Sequence, residues 1–224
     1  MHADYGSTAE IGVFGEYSND SSHILIGQAR NRKLLDFGVE YSRQIIQVSE
    51  ISLQYLGDLR PIMLESDPIT DQVNKYVSPS PGVTYTNDAP EVAACHPYMQ
   101  TITTVVQSVT YIDDFTQTCP SRRWTYGAGV APLGFKANLL RGRRIQPVIT
   151  GLAGLIFSTR SIPITTASSW NFTSQVGAGV EVYSSASHSI RFEWYYHHIS
   201  NADTAQQNPG IDNGLLQVTY SFGR

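Results

Sequence analysis

Apolar and polar residues alternate along most of the chain with the two-residue period of a β-strand. In the second such segment the apolar series starts at Leu35 and ends at Tyr41, and the residues between, such as Asp36 and Glu40, are polar. Eight segments of this kind are predicted as strands, at about 8–18, 33–46, 49–60, 122–136, 144–157, 170–184, 188–200 and 211–222.

The predicted fold is an all-β, eight-stranded antiparallel barrel of the outer membrane, with residues 1–224 forming one barrel domain. The polar series carries charged residues, including Glu10, Glu16, Asp36, Arg191 and Glu193, and charges of both signs are typical of the lumen of a small transmembrane barrel. Connections after the second, fourth and sixth strands are short, and the others are longer, as periplasmic turns and outer loops are. A soluble lipocalin-like barrel is the structural alternative.

Residues 61–121 separate the third and fourth predicted strands and are too long for an ordinary loop. The segment contains seven prolines and both cysteines of the chain. It is interpreted as an outer, extracellular excursion closed by a Cys95–Cys119 disulfide, which would imply an oxidising compartment. Part of it, residues 102–111, fits either a strand or a short helix.

Composition narrows the possible partners. The net charge of −4 argues against a nucleic-acid ligand. Only 15% of the residues are charged, against roughly 25% in an average soluble domain. No apolar stretch approaches the ~20 residues of a membrane-spanning helix. Because the strand pattern predicts a membrane barrel, outer-membrane lipid is the expected surrounding, and the oligomeric state is left open.

Candidate chemistry lies at the end of the seventh predicted strand. Its even positions are apolar or aromatic from Ile190 to Tyr196 and then continue with His198 and Ser200, so both polar side chains should share the lipid-facing side. Extending the even series of the last strand backward reaches Asp212, which should lie beside His198. Serine, histidine and a carboxylate can act as nucleophile, base and orienting acid. The competing interpretation is that these are ordinary polar residues of the barrel rim.

The other histidines of the chain receive no catalytic role. His197 should point into the lumen as a hydrogen-bonding residue, on the opposite face from His198. That opposition argues against a metal site at the two neighbouring histidines, and no metal is expected.

These residues resemble the active-site segment of the PagL-type lipid A 3-O-deacylases, which are outer-membrane esterases. The resemblance rests on His198-Ile199-Ser200-Asn201-Ala202 and on an acidic residue, Asp212, fourteen positions after the histidine. Further similar stretches lie at 127–135, 144–147 and 171–180, so that the resemblance covers about 122–222. In the best-known members the acid is glutamate, which is one methylene longer than Asp212.

The resemblance implies hydrolysis of the ester that holds a 3-hydroxyacyl chain on lipid A of lipopolysaccharide. It implies Ser200, His198 and Asp212 as the catalytic residues, Asn201 near the oxyanion, and no cofactor. With a periplasmic N-terminus, the seventh strand would end in the leaflet that holds lipopolysaccharide, and the site would face sideways into that leaflet. The functional alternative is a non-catalytic outer-membrane barrel that binds a partner or lipid through residues 61–121.

Overall fold

The computed structural model describes residues 5–77, 84–87 and 91–223, and in this part of the chain every regular element is a strand. The twelve strands are β1 (Ala9–Ser18), β2 (Lys33–Val48), β3 (Ile51–Pro68), β4 (Asp71–Val77), β5 (Thr84–Asn87), β6 (Tyr98–Val106), β7 (Val109–Thr118), β8 (Arg122–Asn138), β9 (Ile145–Ile162), β10 (Ser168–Ser185), β11 (His188–Ser200) and β12 (Ile211–Gly223). Within the described ranges, no helix is long and apolar enough to cross a membrane.

Eight of the strands close into an antiparallel barrel in the order β1-β12-β11-β10-β9-β8-β3-β2. The closing contact joins β1 to β12 over eight residue pairs, from Glu10↔Gly223 to Tyr17↔Leu216. The predicted fold class, an all-β eight-stranded antiparallel barrel, is therefore confirmed. Its eight barrel strands correspond one for one to the eight segments expected from the alternating pattern.

The barrel has an apolar outer surface and a polar interior. On β2, Phe37, Val39 and Tyr41 are each more than 40% exposed, while Asp36 and Glu40 between them are buried. A soluble barrel requires the opposite arrangement, because its outer surface faces water. The inverted pattern matches a barrel whose outer wall contacts lipid, so the lipocalin-like alternative is wrong.

Ion pairs fill the lumen. Arg60 lies 2.7 Å from Glu16 and 2.7 Å from Asp58. Arg191 pairs with Glu40 at 2.6 Å and with Glu193 at 2.5 Å. A third cluster joins Lys136 to Glu10 and Glu181. These side chains are almost completely buried, and buried charges are tolerated when they are paired in this way.

Two predicted boundaries were wrong. The excursion was expected to begin at residue 61, but β3 continues to Pro68 and pairs with β8 as far as Pro68↔Arg122. Pro61 is accommodated because the pairing with β8 shifts register between Arg60 and Met63, and a bulge is where a strand tolerates a proline. The connection between β9 and β10 was expected to be long and is only 163–167, because both strands continue to the Ile162↔Ser168 pair.

The excursion folds into a second sheet with strand order β5-β4-β7-β6. Residues 102–111, expected to be strand or helix, form the turn and the adjoining strand ends of the β6–β7 hairpin. The structure contains the Cys95–Cys119 disulfide. Hydrogen bonds join the excursion to the connection between β1 and β2. Arg30 N–H and Arg32 Nη1 donate to the Val92 carbonyl at 3.0 and 3.1 Å, and Arg32 Nη2 donates to the Glu91 carbonyl.

Candidate active site

Strand β11 separates two kinds of polar residue by the direction in which they point. Its odd positions, such as Arg191 and His197, are buried in the barrel, and its even positions Phe192 and Trp194 are more than half exposed. His198 and Ser200 continue the even, outward series and are partly exposed. The predicted division of the strand is confirmed, and the two neighbouring histidines point to opposite sides of the wall.

His198 and Asp212 are in hydrogen-bond contact on the outer face. They are directly opposed in the antiparallel pairing of β11 with β12, and His198 Nδ1 lies 2.7 Å from Asp212 Oδ1. An ionised carboxylate can only accept hydrogen bonds, so Nδ1 carries the hydrogen and Nε2 of a neutral imidazole is left as a proton acceptor. The geometry is that of a base and its orienting acid.

Asp212 has three further hydrogen-bond donors that the sequence analysis missed. Tyr196 Oη donates to Oδ1 at 2.9 Å, and the main-chain N–H groups of Leu25 and Ile26 donate to Oδ2 at 2.8 and 3.0 Å. The connection between β1 and β2 therefore lies over the outer face of β12. Asp212 is completely buried as a result, although its strand position faces outward.

Ser200 lies two residues beyond His198 and has other hydrogen-bond partners in this structure. Its hydroxyl donates to Asn208 Oδ1 at 3.0 Å and accepts the Ala202 N–H at 3.1 Å. Among the described residues, no hydrogen bond joins the Ser200 hydroxyl to His198. Such contacts are often absent before substrate binds.

Asn201 adjoins Ser200 but its side chain points inward and is buried. The side-chain amide donates to the Gln207 carbonyl at 2.8 Å, and the main-chain N–H donates to Asn208 Oδ1 at 3.1 Å. Both donors therefore help to fold the connection between β11 and β12. Of the two, the main-chain N–H is the one next to the serine.

Glycine is needed beside the imidazole. Gly210 has a φ of +60°, and a Cβ at this position would lie 3.1 Å from His198 Cε1. Both the left-handed backbone and the close contact favour glycine. Asn208 and Gly210 lie in the stretch between Ser200 and Asp212, which contains a turn-forming Asn-Pro-Gly; that turn is the one sequence signal for their role.

An apolar groove begins at His198 and runs around the outside of the barrel. Its volume is about 480 Å³, and it crosses the outer faces of β10, β9 and β8, a width of roughly 14 Å at about 4.8 Å per strand. Its lining residues are Val130, Pro132, Leu133, Ala153, Gly154, Leu155, Phe172, Thr173, Ser174 and His198. The depression forms where small residues of β9 meet a register shift in β8 between Val130 and Leu133.

Ser174 is a second outward-facing serine near the imidazole. It lies opposite His198 in the pairing of β10 with β11, while Phe172 lies opposite Ser200. His197, on the inner face, contacts Thr173 instead, with 2.6 Å between Nε2 and Oγ1. In the described part of the chain, no three His, Cys, Asp or Glu side chains come together as metal ligands.

The chain is similar to known proteins in its sequence and in its fold. The family model described as lipid A 3-O-deacylase (PagL) matches residues 82–221, more than half of the chain, whereas no curated protein matches. The crystal structure of the outer membrane enzyme PagL superposes with a TM-score of 0.53 at 15% identity, over 95% of this chain and 99% of that one. Neisserial surface protein A gives 0.47 at 9% identity, over 97% and 98%.

The superposition on PagL shows that the barrel fold is shared, and the match to the family model shows that the chain is a member of the family. Because the family is one of ester hydrolases, the hypothesis of a non-catalytic surface barrel is set aside. The chain belongs to the PagL family of lipid A 3-O-deacylases and is an ester hydrolase of the bacterial outer membrane.

Proposed function

We propose that Ser200, His198 and Asp212 remove the 3-O-linked 3-hydroxyacyl chain of lipid A by nucleophilic catalysis on the outer wall of the barrel. One observation carries the proposal: the His198–Asp212 pair faces outward beside Ser200, at the head of an apolar groove. Polar groups on a lipid-facing wall are costly and are functional candidates for that reason.

The proposed reaction has two steps. Ser200 Oγ attacks the acyl carbonyl while His198 Nε2 takes its proton, and the sugar 3-hydroxyl leaves with that proton. Water then attacks the acyl-enzyme, gives a proton to His198, and releases the 3-hydroxy fatty acid and free Ser200. Asp212 holds the imidazole in the correct tautomer and stabilises the imidazolium that forms in each step.

The oxyanion is assigned to main-chain donors beside Ser200. The Asn201 side-chain amide is occupied by Gln207, so we assign the contribution of Asn201 to its main-chain N–H. This group donates to Asn208 Oδ1, which also accepts the Ser200 hydroxyl. Movement of Asn208 would release both groups together, the nucleophile toward His198 and the N–H toward the developing charge.

The groove accounts for binding of the acyl chain. Its lining is apolar except near His198 and Ser174, so the fatty chain would lie along β10, β9 and β8 with its ester beside Ser200. Transfer of the acyl chain from water into the groove would stabilise the complex by about 25 cal/mol per Å² of apolar surface buried. Transfer from the lipid bilayer contributes less, because the chain is already in an apolar environment there. The groove therefore contributes alignment more than affinity.

Mass spectrometry of lipid A tests the proposal, with two serine variants as a matched pair. We expect the wild type and Ser174→Ala to remove one hydroxyacyl mass, and Ser200→Ala to leave lipid A unchanged. Both variants should migrate as folded barrels on unheated gels. Loss of activity in Ser174→Ala with activity retained in Ser200→Ala would move the nucleophile to β10 and contradict the proposal.

A further inference from the structure

The connection between β1 and β2 contains a segment, Ser22–Gln28, that touches Asp212 from outside the barrel. We name it the acid-holding loop. Two of its consecutive main-chain N–H groups, those of Leu25 and Ile26, donate to the same carboxylate oxygen, Oδ2. The other oxygen, Oδ1, is left for the imidazole and Tyr196. The loop therefore fixes both the position and the rotation of the carboxylate.

Close packing at Gly27 leaves no space for the loop to shift inward. A Cβ at this residue would lie 2.5 Å from Asp212 N and 2.8 Å from Asp212 Cγ. Hydrogen bonds on both sides hold the loop in place: Ser22 N–H donates to the Asp212 carbonyl, and Gln28 N–H donates to the Pro209 carbonyl. Within the loop, His23 Nδ1 lies 2.7 Å from the Gly27 carbonyl oxygen.

The tip of the loop is aliphatic and exposed. Ile24, Leu25 and Ile26 are exposed by 41%, 65% and 64%. Their main chain contacts a carboxylate that projects from the lipid-facing side of β12, so the tip lies outside the wall. On β12 itself, the outward-facing Leu216 and Val218 are likewise exposed and apolar. Three adjacent exposed aliphatic side chains in that position fit lipid acyl chains and not water.

We propose that the acid-holding loop is a positioning element for Asp212, and that its tip, Ile24–Ile26, is held against the acyl chains of the outer leaflet. Contact of the tip with lipid would then be linked to alignment of the Asp212 carboxylate, so that the acid is best aligned when the barrel lies in the membrane that holds the substrate. This inference rests on the proposed catalytic role of His198, Ser200 and Asp212. It also explains how a short aspartate can serve, because the loop holds Oδ2 and so keeps Oδ1 oriented toward the imidazole.

A double-mutant cycle tests the positioning role. The four proteins are the wild type, Gly27→Ala, Asp212→Asn and the double variant, with Asp20→Ala as a control in the same connection. We expect Gly27→Ala to lower kcat by about tenfold or more with little change in KM, because the acid acts in the transition state. In the Asp212→Asn background the same change should cost less than about twofold. An equal loss in both backgrounds would overturn the inference.

Lipid contact is measured without any catalytic readout. The two native cysteines form a disulfide, so Leu25→Cys and, as a control, Asp20→Cys each add one site for an environment-sensitive fluorophore. The labelled proteins are placed in phosphatidylglycerol and phosphatidylethanolamine vesicles with and without brominated acyl chains. Strong quenching at position 25 and little at position 20 is expected. Equal quenching at both positions would contradict lipid contact at the tip.

Ser200→Ala distinguishes failure of the proposed catalytic residues from failure of the inference about the loop. If this variant is active, the proposed catalytic residues are wrong and the positioning role of the loop is lost with them. If it is inactive and the Gly27→Ala loss is equal in both backgrounds, the inference about the loop fails while the catalytic proposal stands.

Discussion

Two clusters of charged groups lie in the same barrel wall and differ in the side to which they point. In the lumen, Arg191 has carboxylate partners on two sides, Glu40 and Glu193, and is completely buried. On the outer face, His198 contacts one carboxylate, Asp212, and 14% of its side chain is exposed. Nothing in the described residues occupies Nε2 of this imidazole.

Along the single strand β11, inward-facing residues contribute to stability and outward-facing residues are available for chemistry. A lumen charge is surrounded by partners, so it can contribute to folding but cannot reach a substrate in the bilayer. The outer pair has one nitrogen available on the side where lipid lies. Alternation of side chains along β11 therefore assigns neighbouring residues of the same type to different tasks.

The largest expected effect comes from the two adjacent histidines. We expect His198→Ala to lower deacylase activity by at least about a thousandfold, as loss of a catalytic base does in acyl transfer, with unchanged barrel stability. His197→Ala should keep most of the activity and lower the free energy of unfolding by about 1–3 kcal/mol, because it removes the contact with Thr173. Activity on lipid A and urea unfolding in detergent measure the two quantities. Loss of activity in both variants at equal stability would remove the distinction between the faces.

Substitution of Arg191 tests the contribution of the ion pairs in the lumen to stability. Arg191→Met leaves Glu40 and Glu193 without their cation, and breaking a buried pair on one side costs about 3–5 kcal/mol. We expect a corresponding loss in the free energy of unfolding, while the folded fraction keeps its turnover rate per molecule. Unchanged stability would show that the lumen is solvated well enough to make its ion pairs dispensable.

The groove predicts a change in chain-length preference. Ala153 is exposed on β9 and lines the groove, so Ala153→Trp should fill its middle. Lipid A species with long 3-O chains should then be cleaved about tenfold more slowly, the size of effect that a change of fit in an apolar pocket produces. Species with short 3-O chains, mixed in the same reaction and read in the same mass spectrum, serve as the internal control. Equal slowing of both would mean that the chain lies elsewhere.

The smallest expected effect is at Tyr196, which supports the outer acid from its own strand. Tyr196→Phe removes one hydrogen bond to Asp212 Oδ1. We expect kcat to fall by about two- to tenfold, because the other hydrogen-bond donors still hold the Asp212 carboxylate. Tyr126→Phe is a matched control: its hydroxyl is also on the outer wall and donates to the Pro61 carbonyl. A similar loss in both variants would indicate a general effect of outer-wall tyrosines.

The alternating pattern was sufficient to predict the barrel. Its strands are half lipid-facing and half lumen-facing, so every residue of β2 or β11 carries information about its face. The excursion is different, because residues 98–106 are exposed along their whole length and have no alternation from which to predict a face. The extension of β3 past Pro61 was missed because a proline normally ends or edges a strand, and its accommodation depends on a bulge set by the pairing with β8.

The candidate site was predictable as far as strand parity reaches. Parity and antiparallel pairing together brought His198 and Asp212 to one face, and the structure has them in contact. The acid-holding loop was not predictable, because its contribution to Asp212 is made by main-chain N–H groups, which leave no mark in the sequence. Gly27 is the one residue whose identity reflects that contact, through the absence of a Cβ.

Ser200, on the lipid-facing wall, is the proposed nucleophile. A fluorophosphonate probe measures this directly, since the attacking serine oxygen displaces fluoride and keeps the phosphonyl group. The folded enzyme in detergent is treated with the probe, digested and mapped by mass spectrometry, with His198→Ala as the variant that lacks the base. We expect one phosphonyl group on Ser200 in the wild type and almost none in His198→Ala. Labelling at Ser174, or equal labelling of Ser200 with and without His198, would contradict it.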